Sequence, residues 1–111
     1  MEYEERATII YELIDLLKAN KLDEAQKDII RDLVKKLDNR TEKQKERFLM
    51  FYNLKEGENK NNRLCDIAKF YNCSSACIRI SISRIRVGLI YTSEERIKII
   101  EDILKEYHNK N

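Results

Sequence analysis

No proline occurs anywhere in the 111 residues, and the chain holds only two glycines, Gly57 and Gly88. Those two residue types supply most of the fixed φ angles and left-handed turns that a sandwich or barrel needs at every strand reversal. A chain with so few of them is confined to longer, uninterrupted elements. Its hydrophobic residues also recur at spacings of three and four, the period of an amphipathic helix. The expectation is an all-α fold of about six helices. With 42% hydrophobic residues the chain is too apolar to stay disordered, and its length suits one core but not two.

The stripes can be followed along the chain. From Ala7, the residues Ile9, Ile10, Leu13, Ile14, Leu16 and Leu17 line a first helix that ends near Ala19 and Asn20. Asp23 with Gln26 three residues on has the pattern of a capping box, and Ala25, Ile29, Ile30, Leu33, Val34 and Leu37 follow as a second stripe. So short a link predicts that these two helices form an N-terminal helical hairpin over residues 1–40. Thr41 and Gln44 repeat the capping pattern ahead of Phe48, Leu49, Phe51, Tyr52 and Leu54, giving a third helix to about Lys55. The run Glu56-Gly57-Glu58-Asn59-Lys60-Asn61-Asn62 has no apolar residue and reads as a solvated loop. Leu64, Ile67, Ala68 and Tyr71 then give a short helix. Ser74 is placed to cap a longer one that turns Ile78, Ile82, Ile85 and Leu89 inward. Thr92 and Glu95 offer a last capping box, before a C-terminal helix over 91–111 carrying Ile97, Ile100, Ile103, Leu104 and Tyr107.

Several function classes find no support. Cys65, Cys73 and Cys77 are odd in number and lack a zinc spacing, so they are expected as reduced packing residues, Cys73 buried and the other two partly so. A single histidine, His108, and no glycine-rich phosphate loop leave nothing to build catalysis on, and no metal or cofactor is expected. The start, Met1-Glu2-Tyr3-Glu4-Glu5, is acidic where a secretion signal is basic, and no apolar run reaches membrane-spanning length. A cytoplasmic protein without a membrane partner is expected.

Charge is informative by segment. The whole chain is +2, but residues 41–90 hold 10 basic and 5 acidic side chains, or +5, between flanks of −2 and −1. One face of that middle segment is a candidate for a polyanion. Within it, residues 63–90 read as a short helix, a tight turn and a longer helix with a polar first turn, the geometry that lets a second helix enter the DNA major groove. The run Asp66-Ile67-Ala68-Lys69-Phe70-Tyr71-Asn72-Cys73-Ser74 carries it. Ala68 falls where the helices approach, and Asn72 where the backbone takes positive φ.

Thr41-Glu42-Lys43-Gln44-Lys45-Glu46 with Phe48, Leu49 and Tyr52 resembles region 4 of bacterial sigma-70-type sigma factors. So does Asn53-Leu54-Lys55-Glu56-Gly57-Glu58. The run Ile78-Arg79-Ile80-Ser81-Ile82-Ser83-Arg84-Ile85-Arg86 is similar to that family's recognition helix, with Arg79 and Arg84 on matching positions. The resemblance covers about residues 41–90 and includes no region 2, so a complete conventional sigma factor is not expected. It implies double-stranded DNA and RNA polymerase as candidate partners, because region 4 reads the promoter −35 element and packs on the flap of the polymerase β subunit.

On a helix from about 74 to 89, the arc opposite the core holds Ala76, Arg79, Ile80, Ser83, Arg84 and Val87, with Arg86 at its margin. Ser75, Ala76, Arg79, Ile80 and Ser83 are the candidates for base contacts, with Ser74 at the entry of the helix. Lys60, Arg63, Lys69, Arg84 and Arg86 are the candidates for phosphates. Ile80 and Val87 also fit a rival reading, in which the same surface binds a protein: RNA polymerase, a sigma factor, or a second copy in a helical homo-oligomer. A homodimer on a pseudo-palindromic site is a further expectation, because one such module makes a small interface.

Overall fold

The periodicity is realised as helices throughout a computed structural model that describes residues 1–55 and 63–110. In order they are α1 (Tyr3–Lys18), α2 (Glu24–Lys35), α3 (Glu42–Phe51), α4 (Leu64–Tyr71), α5 (Ser75–Ile90) and α6 (Glu94–Lys110). The fold is all-α, with six helices and no strand among the described residues.

Local chemistry sets the starts of α2, α3 and α5 as expected. The Asp23 and Thr41 side chains accept hydrogen bonds from the backbone of Gln26 and Gln44, whose own side chains reach back to complete both capping boxes. The Ser74 hydroxyl accepts from the Cys77 N–H at 3.2 Å. At α6 the cap is displaced by one residue. Ser93 Oγ accepts from the Arg96 N–H, while Thr92 is buried, where it accepts hydrogen bonds from Arg6 and Arg96.

In place of glycine, asparagine ends three helices. Asn20, Asn53 and Asn72 sit at φ 53°, 57° and 53°. In each case the next residue donates its N–H back across the end of the helix: Lys21 to Leu16, Leu54 to Leu49 and Cys73 to Ala68, at 3.0, 2.8 and 2.9 Å. These are Schellman closures, in which asparagine tolerates the left-handed conformation that other side chains resist. The closure at Asn53 stops α3 at Phe51, earlier than the apolar pattern suggests. Leu54 is buried as an anchor after the helix, not as part of it.

α1 and α2 do not close on each other as the expected hairpin. α1 packs on α6 and α5, α2 on α3 and α6, and α3 on α5, so that five helices close a ring around one core. The left-handed turn at Asn20 and the buried Leu22 splay α1 from α2, and α6 packs against both. The core draws on all five, with Ile10, Ile30, Phe48, Ile78, Ile85, Ile97 and Ile100 each 0% exposed. α4 lies outside the ring, against α3 and α5.

α5 is the hub, and α1 runs antiparallel along one flank of it. Arg6 donates to the carbonyls of Ile90 at 3.0 Å and Thr92 at 2.5 Å, the Arg86 guanidinium lies 5.6 Å from the centre of the Tyr11 ring, and Lys18 shares a groove with Arg79. On the other flank, Gly88 lets the link before α3 come close. A Cβ there would meet Arg40 Cγ at 3.0 Å and Asn39 Oδ1 at 3.2 Å. Arg40 then donates from Nε to the Arg84 carbonyl at 2.6 Å.

Candidate nucleic-acid interface

The interface starts from the turn. α4 is eight residues long and ends at Asn72, whose left-handed conformation reverses the chain within three residues. Ala68 is buried where α4 meets α5. The half-buried Cys73 packs against the core. On the α3 side, Tyr71 Oη donates to Glu46 at 3.3 Å, and the Arg47 guanidinium sits 5.1 Å from the centre of the Tyr71 ring. Burial, reinforced by Glu46, pushes the Tyr71 hydroxyl up to about 12, so it remains a donor across the ordinary pH range. Arg47 also donates to Ser81 Oγ at 2.9 Å, which ties the same corner to α5.

From that frame α5 presents the expected arc. Ile78, Ile82, Ile85 and Leu89 face the core, while Ala76, Arg79, Ile80 and Arg84 are exposed and Ser75, Ser83 and Val87 are half-buried. The sixteen residues of α5 include three arginines and no carboxylate. Ser74 is exposed at the cap. Lys69 is exposed on α4, and Arg63 precedes that helix with its side chain 75% exposed, 4.0 Å from Asp66. The structure thus gathers Ser74, Ser75, Ala76, Arg79, Ile80, Ser83 and Arg84 on α5 and its cap, with Arg63 at the cap of α4 and Lys69 on that helix. Lys60 and the loop 56–62 lie outside the described residues.

Arg86 departs from its expected role as an exposed phosphate arm. It is half-buried, stacked toward Tyr11, and donates to Ser83 Oγ at 3.2 Å, because α1 covers this margin of α5. Lys45 and Arg47, counted in the same basic segment, are also turned inward. Lys45 is 5% exposed, donating to the Lys35 carbonyl at 2.9 Å and pairing with Glu42 at 3.1 Å.

Two residues that the sequence reading passed over belong to this surface. Arg40 joins Arg84 at one edge of α5, beside Thr41 and Gln44. Lys18 stands at the other edge, in a groove of about 570 Å³ that Arg79, Ile80, Ser83 and Arg86 also line. Neither carries a local signal, since each comes from an element whose place beside α5 is set by long-range packing. The cysteines also differ from expectation: Cys65 and Cys77 are exposed. The Ser74 hydroxyl and N-cap backbone hold the Cys77 thiol below its usual range, on the outer side of the first turn of α5.

Compared with known proteins, the chain matches no family model, no curated protein and no solved structure. Among the described residues no helix is long and apolar enough to cross a membrane.

Proposed function

We propose that the protein is a DNA-binding transcription regulator, with α4, the Asn72 turn and α5 working as a helix-turn-helix of the sigma region 4-like type. The observation that carries this reading is the outward arc of α5. It is free of carboxylates and leaves Ala76, Arg79, Ile80 and Arg84 exposed at the end of a short helix and a tight turn. In a major groove, the Arg79 fork suits guanine O6 and N7, the Ser75 and Ser83 hydroxyls suit either groove partner, and Ala76 and Ile80 suit a thymine methyl. Arg63, Lys69 and Arg84 supply phosphate contacts that fix register, while Arg86, held by Tyr11 and Ser83, positions the helix.

Fluorescence anisotropy on a selected site and on random duplex tests the assignment. Arg79→Ala is expected to cost about 1–3 kcal/mol on the selected site and much less on random DNA. Binding should weaken with salt at a logarithmic slope of roughly three to four. Equal losses on both duplexes would remove Arg79 from base reading.

A second reading has one observation in its favour. Ile80 is 55% exposed at the centre of the arc, with the half-buried Val87 about two turns further along the helix. A protein surface on RNA polymerase, on a sigma factor or on a second copy would cover it. Capture of the protein by polymerase with no binding to duplex, abolished by Ile80→Lys, would select this reading over the first.

A further inference from the structure

We propose that the groove bounded by the C-terminal ends of α1 and α3, the start of α4 and the middle of α5 binds an amphiphilic anion: a small molecule with a carboxylate or sulfate head and an apolar body. Two features of its lining specify that class. The walls include Phe51, Leu64, Ile80 and Ile82, an apolar surface that a purely hydrophilic ion would gain nothing from covering. Three cations, Lys18, Arg79 and Arg86, line the same groove, and among the described residues no carboxylate does. A volume of about 570 Å³ with mostly apolar walls and a few convergent polar groups suits a small ligand.

The cations are differently prepared. Lys18, in the last turn of α1, and Arg79 are exposed and adjustable. Arg86 is fixed by its bond to Ser83 and by the Tyr11 ring, and its Nε is buried with no hydrogen-bond partner. A planar guanidinium locked in this way is preorganised for a carboxylate or sulfate, so little rotamer entropy is lost on binding. The apolar tail covers Ile80 and the half-buried Phe51 and Leu64 in the same event, which gives the exposed Ile80 a use independent of any macromolecule.

Binding itself stands on this lining alone, whereas its regulatory consequence rests on the DNA reading above. Arg79, Ile80 and Ser83 belong to both the groove and the base-reading arc, so an occupied groove and a bound duplex exclude each other.

The test uses the full chain, ¹⁵N-labelled, titrated with sodium decanoate and, separately, with decyltrimethylammonium, each below its micelle concentration. Decanoate should give saturable one-site shifts at Lys18, Phe51, Leu64, Ile80 and Ile82. Lys18→Glu and Arg79→Glu, both at exposed positions that keep the fold, should each weaken it about tenfold, as expected for the loss of a charge-assisted contact. Equal binding of the cationic amphiphile, or unchanged affinity in both variants, would overturn the proposal. Decanoate should also displace a fluorescent duplex. If decanoate binds but leaves a bound duplex in place, the regulatory step fails. If decanoate binds and no duplex does, the DNA reading fails and the anion site stands.

Discussion

Asn72 holds φ 53° between α4 and α5, and the reversal that joins these two helices turns on that residue. An L-residue with an ordinary Cβ pays about 1–2 kcal/mol for this conformation, glycine nothing, and asparagine less than most. Asn72→Ala should therefore lower stability by the difference between the alanine and asparagine costs, about 1 kcal/mol or less, in urea denaturation, whereas Asn72→Gly should be near neutral. Equal midpoints for the two variants would show that the turn carries no strain. Asn72 is legible in the sequence because it stands between a short apolar stripe and a Ser74 cap, where only a turn fits. The side chains around α5 are legible in part. Helical spacing separates Ile78 and Ile85 from Arg79 and Ile80, since the exposed and buried arcs of one helix follow from its own sequence. Whether a basic residue faces solvent or a neighbour does not follow from it. Lys45, Arg47 and Arg86 add to the +5 of residues 41–90, yet each is engaged inside the molecule, so the charge of the segment overstates the charge of its face.

At the scale of elements, helix starts are written locally and helix neighbours are not. The Asp23 and Thr41 capping boxes involve residues three apart, and both are formed as the sequence indicates. The pairing of α1 with α5 and α6 instead of α2 depends on shapes brought together across the whole chain. Arg6 is the clearest product of that pairing. It binds two carbonyls at the end of α5 and donates to Glu94 at 2.9 Å, joining α1 to the corner between α5 and α6. The hydrogen bond from Arg6, with a further one from the N-terminal ammonium, holds the Glu94 carboxyl below the usual carboxylate range. A carboxyl with a lowered pKa in the folded state contributes its stability above the unfolded value and loses it as the pH falls through the folded one. Glu94→Gln should thus reduce the urea midpoint at about pH 7, and the gap from the parent protein should close on acidification to about pH 3. A gap that stays constant over this range would show that the ion pair contributes nothing. Because Glu94 is exposed, salt should narrow the same gap at neutral pH.

For the molecule as a whole, the ring of α1, α5, α3, α2 and α6 makes the proposed interface dependent on helices that never approach it. α5 is held on one side by α3 and α4 and on the other by α1, which is backed in turn by α6. A core shared in this way has no internal boundary at which one part could unfold and leave the rest. Ile97, on α6 and 0% exposed, tests that property from the far side of the ring. Ile97→Ala removes buried methyl and methylene groups, with an expected loss of about 2–5 kcal/mol. Far-UV circular dichroism reports all six helices, while tyrosine fluorescence reports the surroundings of six rings: Tyr3 and Tyr11 on α1, Tyr52 and Tyr71 at the ends of α3 and α4, Tyr91 after α5 and Tyr107 on α6. In a single cooperative unit both signals change at one urea midpoint, and the variant moves them together by the same amount. Any loss of duplex or anion binding then follows the unfolded fraction alone, with affinity unchanged where the protein is folded. Two separated midpoints, with Ile97→Ala shifting only the one that reports α1 and α6, would instead mean that the segment 41–90 folds by itself and that the surrounding helices are an addition to it.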